Sequence, residues 1–432
     1  MKIIKLIALL FILIRCSSPI DTITIIEPVY ISNDSIVRTG LDVLIEDHPN
    51  YLRGRSIGLV TNHTGITRNN EKNYELFQTN SAISLKRIFA PEHGFYGEAS
   101  AGAKVDYDGE NTSGPEIISL YGKTKKPTKE MLDGIDLIIY DIQDVGARFY
   151  TYISTLGLVM EAAGEYGIDV MVLDRPNPIG GEIIEGAILD TAFKSFVGYY
   201  PIPIRYALTV GELSQMAIQE GWLTSNPPNL TIVKMDGWER KMFYDDTNLP
   251  WVPPSPNIPD LETAIIYPGM CLYEATNVSE GRGTNNPFKQ IGAPWMTYEI
   301  AKEMKDLSFE GIDFEYAKFK PKDLPGKAEK PKFENKNCFG QKFVITDRNT
   351  FRSVEVATQS IYITFGLYAE HFVYKQARLN KLFGSNQLFQ LLRGKLKNNK
   401  GKSIKSPPEL LRMIDDDCEK FSVKSASYQL YN

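Results

Sequence analysis

Four short polar clusters carry the groups that could do chemistry in this chain. They are Thr61-Asn62-His63, Pro91-Glu92-His93-Gly94, the run from Asp141 through Gln143 and Asp144 to Arg148, and Asp174-Arg175-Pro176-Asn177-Pro178. Each follows a short apolar run, at 56–61, 84–90, 136–140 and 168–173. Runs of that length and composition read as strands buried on both faces of a parallel sheet. In an open sheet of this kind the ligand crevice lies outside the carboxyl ends of the strands. Polar residues at four successive ends would therefore line one rim with carboxylates, imidazoles and guanidiniums. Taken singly, most have a structural reading. Asn62 can cap a turn, Asp141 and Asp144 can cap a helix, Asp174 and Arg175 can pair, and His93 can bond within its loop. Glu92 is harder to assign in that way. A glutamate between a proline and a histidine at the end of an apolar strand gains nothing from packing and must be paired or solvated.

Several chemistries lack their motif. No Gly-x-Gly-x-x-Gly follows the first strand, no P-loop pattern occurs, and no Gly-x-Ser-x-Gly elbow occurs. Cys271, Cys338 and Cys418 have no zinc-site spacing and read as buried free thiols, and only four histidines are present. No metal and no cofactor is expected. The net charge of −5 argues against nucleic acid as a partner. Carboxylates, an imidazole, arginines and many tyrosines suit a polar, anionic, sugar-like ligand. Glycoside hydrolysis uses such a set: a carboxylic acid protonates the leaving oxygen, and a second group activates water or attacks carbon.

The elements that must position these groups alternate strand and helix. Helical spacing at 151–166 and 209–220 separates the strands at 136–140, 168–173 and 230–235. The pattern predicts an α/β fold, a Rossmann-like parallel sheet with helices on both faces. Five prolines between Pro250 and Pro259 exclude a central strand there. Trp251 and Ile258 give that stretch something to bury, so an ordered loop over the sheet is expected. A strand at 342–346 and a helix at 355–370 predict a smaller C-terminal α+β domain over 308–432, after a catalytic domain over 38–307.

The start of the chain reads as an export signal. Lys2 and Lys5 precede an apolar run at 6–14, too short to span a bilayer. Cys16 follows, where a lipoprotein signal would carry its lipid, although Arg15 stands where a small residue is usual. Residues 1–16 are therefore expected as a signal peptide and 17–37 as a tether. The exported protein would be periplasmic or on the cell surface, attached to the membrane through Cys16.

Longer motifs resemble the exo-β-N-acetylmuramidases. They are Ala-Pro-Glu-His-Gly-Phe at 90–95, the run at 141–152 ending Phe-Tyr-Thr-Tyr, Asp-Arg-Pro-Asn-Pro at 174–178, Tyr-Pro-Gly at 267–269, Ser-Glu-Gly-Arg-Gly-Thr at 279–284 and Gly-Ala-Pro-Trp at 292–295. The resemblance runs from about Gly40 to the C-terminus. It implies a Rossmann-like domain without a dinucleotide, a smaller C-terminal domain, and an active cleft between them. It also implies removal of a non-reducing terminal β-1,4-linked N-acetylmuramic acid from peptidoglycan fragments. Glu92 matches the family's catalytic glutamate, with His93 beside it. Glu92 would be the general acid and Asp141 a candidate for the second carboxylate. Asn62, His63, Arg148, Tyr150, Asp174, Arg175, Asn177, Glu280 and Arg282 would line the substrate site, with Arg148 or Arg282 holding the lactyl carboxylate in a charge-assisted fork. One stretch departs from the family: Tyr206-Ala207 stands where His-Gly is usual. That departure is the sole support for a rival reading, a surface lipoprotein that holds muropeptides without cleaving them.

Overall fold

The computed structural model describes residues 23–29, 36–100, 102–103, 114–397 and 408–432. Cys16 and the expected signal peptide lie outside the described residues. Seven strands form one parallel sheet: β1 (Ile23–Ile26), β2 (Ser56–Thr61), β3 (Ser84–Ala90), β4 (Glu116–Ser119), β5 (Leu137–Asp141), β6 (Asp169–Leu173) and β7 (Leu230–Val233). Their order is β1-β7-β6-β5-β2-β3-β4. Chain direction across the sheet reverses between β2 and β5, which pair in parallel. Four helices belong to this part: α1 (Gly40–Asp47), α2 (Asn73–Thr79), α3 (Tyr152–Tyr166) and α4 (Val210–Gln219).

The period-two pattern of the strands divides the core into two layers. Ile57, Leu59, Leu137, Ile139, Met171 and Leu173 point to one face, where Leu41 and Leu44 of α1 and Phe77 of α2 cover them. Val60, Ile138, Tyr140, Val170 and Val172 point to the other, against Leu156 and Met160 of α3 and Leu213 and Met216 of α4. Each such side chain, fully buried, contributes about 1.5–3 kcal/mol. Helices therefore cover both faces, as the sequence predicts. Thr209 and Glu212 start α4 with a reciprocal capping box, and Gly167 ends α3 in the left-handed region at φ 69°.

The smaller part contains α5 (Leu261–Met270), α6 (Glu299–Lys305), α7 (Ser353–Leu367), α8 (Gln376–Phe383), α9 (Gln387–Lys397) and α10 (Pro408–Ser425). Its antiparallel sheet has the order β8-β10-β9, from β8 (Gln290–Ala293), β9 (Ile312–Phe319) and β10 (Cys338–Ile345). Gly269 of the Tyr-Pro-Gly motif lets α5 meet α7, for a Cβ there would lie 1.9 Å from the Ser353 carbonyl oxygen.

Two expected boundaries differ from the structure. β8 pairs with β10, so the small sheet begins before residue 308. Four residues, Gln-Ile-Gly-Ala, are too few to stand out as a strand in sequence. Within the expected tether, Ile23–Ile26 instead pairs with β7 as the sheet's edge strand. Its neighbours are contributed by residues about 200 positions away, which local sequence cannot reveal. The proline-rich stretch is an ordered loop, with Ile258 buried and the Trp251 indole N–H donating to the Pro259 carbonyl at 3.0 Å.

Candidate active site

A cavity of 580 Å³ opens beyond the carboxyl end of β3. The large part contributes Glu92, His93, Tyr121, Tyr150 and Thr151, and the smaller part contributes Tyr267, Glu274, Arg282, Arg378 and Lys381. Glu92 follows β3 directly. Its Oε2 accepts from the Thr151 hydroxyl at 2.6 Å and its Oε1 from the Gly102 N–H at 3.0 Å. Burial, and then the charge of Glu92, push the neighbouring Tyr121 phenol well up, so it stays protonated. Among the described residues no lysine or arginine pairs with Glu92.

His93 is bent into the left-handed region at φ 71°, a rare conformation for a non-glycine residue. Its Nδ1 lies 2.8 Å from the Ala99 carbonyl oxygen and must carry the proton there, which leaves Nε2 with a lone pair. Burial lowers its pKa, and the charge of Arg282 lowers it further, against the opposing pull of Glu92. The ring is neutral at pH 7.

The other residues expected at the site divide sharply. Tyr150 and Arg282 line the cavity. Asp141 does not line it: its Oδ1 accepts from Arg175 Nε at 2.6 Å and its Oδ2 from Asn73 Nδ2 at 2.7 Å, and the residue is fully buried. Arg175 also donates to the Ile66 carbonyl. Asp174 is fully buried at the start of α4, with Gly211 N–H on Oδ1 at 2.8 Å and the hydroxyls of Thr209 and Tyr431 on Oδ2, both at 2.7 Å. Its own carboxylate thus fills the helix N-terminus where a phosphate could otherwise sit. Burial raises its pKa to about 6 despite those donors.

Arg148, expected as a carboxylate clamp, is fully buried and donates to the carbonyls of Ala187, Ile202 and Leu382 at 2.7–2.9 Å. Burial beside no carboxylate pulls its pKa down. It ties the two parts together behind the cavity. Asn62 donates to Tyr152 Oη and accepts from Thr64, and Asn177 donates to the Leu208 carbonyl. His63 Nε2 lies 2.8 Å from the Pro253 carbonyl, and burial lowers its pKa. Gly97, at φ 74°, packs so closely over that ring that a Cβ would fall 2.0 Å from it. Glu280 pairs with Lys332 at 2.8 Å in a separate recess of 200 Å³. Burial pushes its carboxyl up, but Lys332 and Arg282 outweigh that and hold it low.

Tyr206, the departure from the family, is 1% exposed and does not line the cavity. Its hydroxyl donates to Asp144 Oδ2 at 2.5 Å. Ala207 has φ 54°, which accounts for the family's glycine at that position. Tyr206 therefore lends no support to a non-catalytic reading. Sequence reasoning missed Thr151, Tyr121, Glu274, Arg378 and Lys381. Thr151 lies inside the 141–152 motif, and Arg378 and Lys381 are spaced i, i+3 on α8, a face signal that names no ligand. Tyr121 and Glu274 carry no local signal.

The chain is similar to proteins of one family along most of its length. Residues 57–262 match the family model described as exo-β-N-acetylmuramidase NamZ, N-terminal, and residues 265–431 match its C-terminal counterpart. The chain is 41% identical over 397 residues to the peptidoglycan β-N-acetylmuramidase NamZ of Bacillus subtilis, covering 91% of each chain. Two crystal structures of DUF1343 family proteins from Bacteroides fragilis share the fold. One has a TM-score of 0.80 at 34% identity, covering 92% of this chain and 100% of that one. The other has a TM-score of 0.71 at 30% identity, covering 92% and 99%.

Proposed function

The chain belongs to the exo-β-N-acetylmuramidase family, and we propose that Glu92 is the general acid of its reaction. The enzyme is an exo-acting glycoside hydrolase that releases non-reducing terminal N-acetylmuramic acid from peptidoglycan fragments. A general acid must hold a proton until the leaving oxygen takes it, so it cannot sit in an ion pair. Two carboxylates line the cavity among the described residues, and Glu274 is bound to Arg378. Glu92 meets hydroxyl and amide donors instead. This contrast carries the assignment.

In the reaction, Glu92 gives its proton to the glycosidic oxygen as the bond to the anomeric carbon breaks. The free hydroxyl leaves with the glucosamine unit. A water oxygen adds to the anomeric carbon, and its proton restores the acid. Thr151 and the Gly102 amide aim the Glu92 carboxyl, and the rings of Tyr150 and Tyr267 shape the sugar pocket. Neutral His93 presents Nε2 as an acceptor for a sugar hydroxyl. Arg282 holds the lactyl carboxylate, a role Arg148 cannot fill from behind the wall. Asp141, with both oxygens bonded to Arg175 and Asn73, is set aside as the second carboxylate. With Asn62, His63, Asp174, Arg175 and Asn177 it supports the floor beneath the site.

The test is product release from a β-1,4-linked N-acetylmuramyl-N-acetylglucosamine disaccharide. Free N-acetylmuramic acid is expected from the parent, and none from the same saccharide capped by glucosamine at its non-reducing end. Binding without release would contradict the reading. Export and lipid attachment at Cys16 are a second part of the proposal, supported by Lys2, Lys5 and the apolar run before Cys16. Metabolic labelling with a fatty-acid analogue tests it: label lost in Cys16→Ser is expected, and an unlabelled parent contradicts it.

A further inference from the structure

Among the described residues the cavity has more positive charge than its walls neutralise. Of these, Arg282, Arg378 and Lys381 line it against Glu92 and Glu274, three cations to two carboxylates. His93 adds nothing, because burial keeps it neutral. When Glu92 carries the proton it must donate, the count becomes three to one. The single charge of Glu274 is shared, for Arg378 is bonded to it and Arg282 Nη1 lies 3.9 Å away, and Glu280 of the adjoining recess, which also acts on both guanidiniums, is itself bonded to Lys332. The exposed Lys381 side chain has no hydrogen bond or ion pair among the described residues. Arg378 and Lys381 are one turn apart on α8, with Ala377 and Leu382 of the same helix also lining the cavity.

We infer that α8 is the specificity element of the enzyme: Arg378 and Lys381, with Arg282, bind the lactyl carboxylate that distinguishes muramic acid from glucosamine. The inference rests on the muramidase reading above. A neutral sugar would leave Arg378 and Lys381, both exposed, to solvent alone, whereas one carboxylate meets their charge directly. The Arg378 side chain remains 53% exposed, so its guanidinium can keep Glu274 on one edge and receive the substrate carboxylate on another. Arg282 also lines the 200 Å³ recess with Arg378 and Glu274. These three residues therefore form the partition between cavity and recess, which sets the end of the cavity where the carboxylate lies. Glu274 acts here as a positioning residue that holds the two guanidiniums in register.

The experiment compares a chromogenic β-N-acetylmuramide with its lactyl methyl ester, which removes the charge and adds one methyl group. Parent, Arg378→Ala, Arg378→Lys and Lys381→Met are assayed on both. The parent is expected to prefer the free acid. Each removed cation should cut that preference roughly tenfold or more, chiefly through KM, and Arg378→Lys should restore part of it. An acid-over-ester ratio unchanged by either variant, or equal losses on both substrates, would overturn the inference. A parent that hydrolyses neither substrate would sink the muramidase reading itself. Calorimetric binding of N-acetylmuramic acid against N-acetylglucosamine then decides the anchor alone: a preference lost in Arg378→Ala supports it, and no preference in the parent overturns it.

Discussion

Two charged regions lie beyond the carboxyl ends of the same parallel sheet, and only one of them is open. Between β2 and β5, where the chain direction reverses, an open α/β sheet usually leaves its ligand crevice. Here that place is filled from within: Arg175 and Asn73 both donate to Asp141, Arg175 also donates to the Ile66 carbonyl, and Asn62 donates to the Tyr152 hydroxyl. One strand over, beyond β3, Glu92 faces a cavity and has no cationic partner among the described residues. Opposite charges at short range make a scaffold, and a carboxylate left without a counter-ion at an opening makes a reagent. Partner identity separates the two regions better than position on the rim does.

The comparison can be broken at either side. The largest expected effect is on turnover: Glu92→Gln should lower kcat by roughly 10²–10⁴-fold with the melting temperature near that of the parent. Comparable turnover in that variant would remove Glu92 from its role. At the closed region the effect moves to stability. Arg175→Ala strands the Asp141 carboxylate in the interior and should cost about 3–5 kcal/mol in denaturant unfolding. A loss of activity without a loss of stability there would mean the pair is chemical after all.

Acid–base behaviour sharpens the contrast further. Burial raises Asp144 to about 6 and Asp174 to about 6, so the folded protein holds these protons more tightly than the unfolded chain. Their contribution to stability is complete below the unfolded value near 4 and is lost as pH rises through about 6. Asp144→Asn should flatten that decline in pH-dependent unfolding; an unchanged slope would show that Asp144 does not titrate there. Lowered His63 and His93 act in the opposite sense, since their contribution is present above the usual histidine value and is lost on acidification below it.

Smaller effects concern aim and strain. Thr151→Val keeps shape but removes the 2.6 Å bond to Glu92, and should lower kcat roughly tenfold with KM little changed. A rise in KM alone would place Thr151 in binding rather than aiming. Ala207→Gly relieves a left-handed alanine at φ 54° and should stabilise the fold by about 1 kcal/mol. No gain in thermal unfolding would contradict that source of strain.

Much of the scaffold was legible in the sequence because buried parallel strands announce themselves as unbroken apolar runs. β2 and β3 match the expected runs, β5 is shifted by one residue, and β6 starts one residue later. That Glu92 would line an opening was legible because nothing in its local sequence could satisfy it. Asp141 and Arg148 misled for the same physical reason: their partners come from elsewhere in the chain. Asn73 and Arg175 lie 68 and 34 residues from Asp141, and the Leu382 carbonyl lies 234 residues from Arg148. The cations of α8 were hidden by distance too, since a lysine and an arginine on a short helix carry no mark of the cavity they face. Tertiary pairing, which no local pattern encodes, decided which charges were closed and which were left open.

The most direct measurement is a crystal structure of Glu92→Gln soaked with the N-acetylmuramyl-N-acetylglucosamine disaccharide. The account predicts the glycosidic oxygen within hydrogen-bond distance of the residue 92 amide, the muramyl ring against Tyr150 and Tyr267, and Asp141 still bound to Arg175 beneath. A disaccharide seated over Asp141 and Arg175, with their pair opened to receive it, would contradict the division between the two regions.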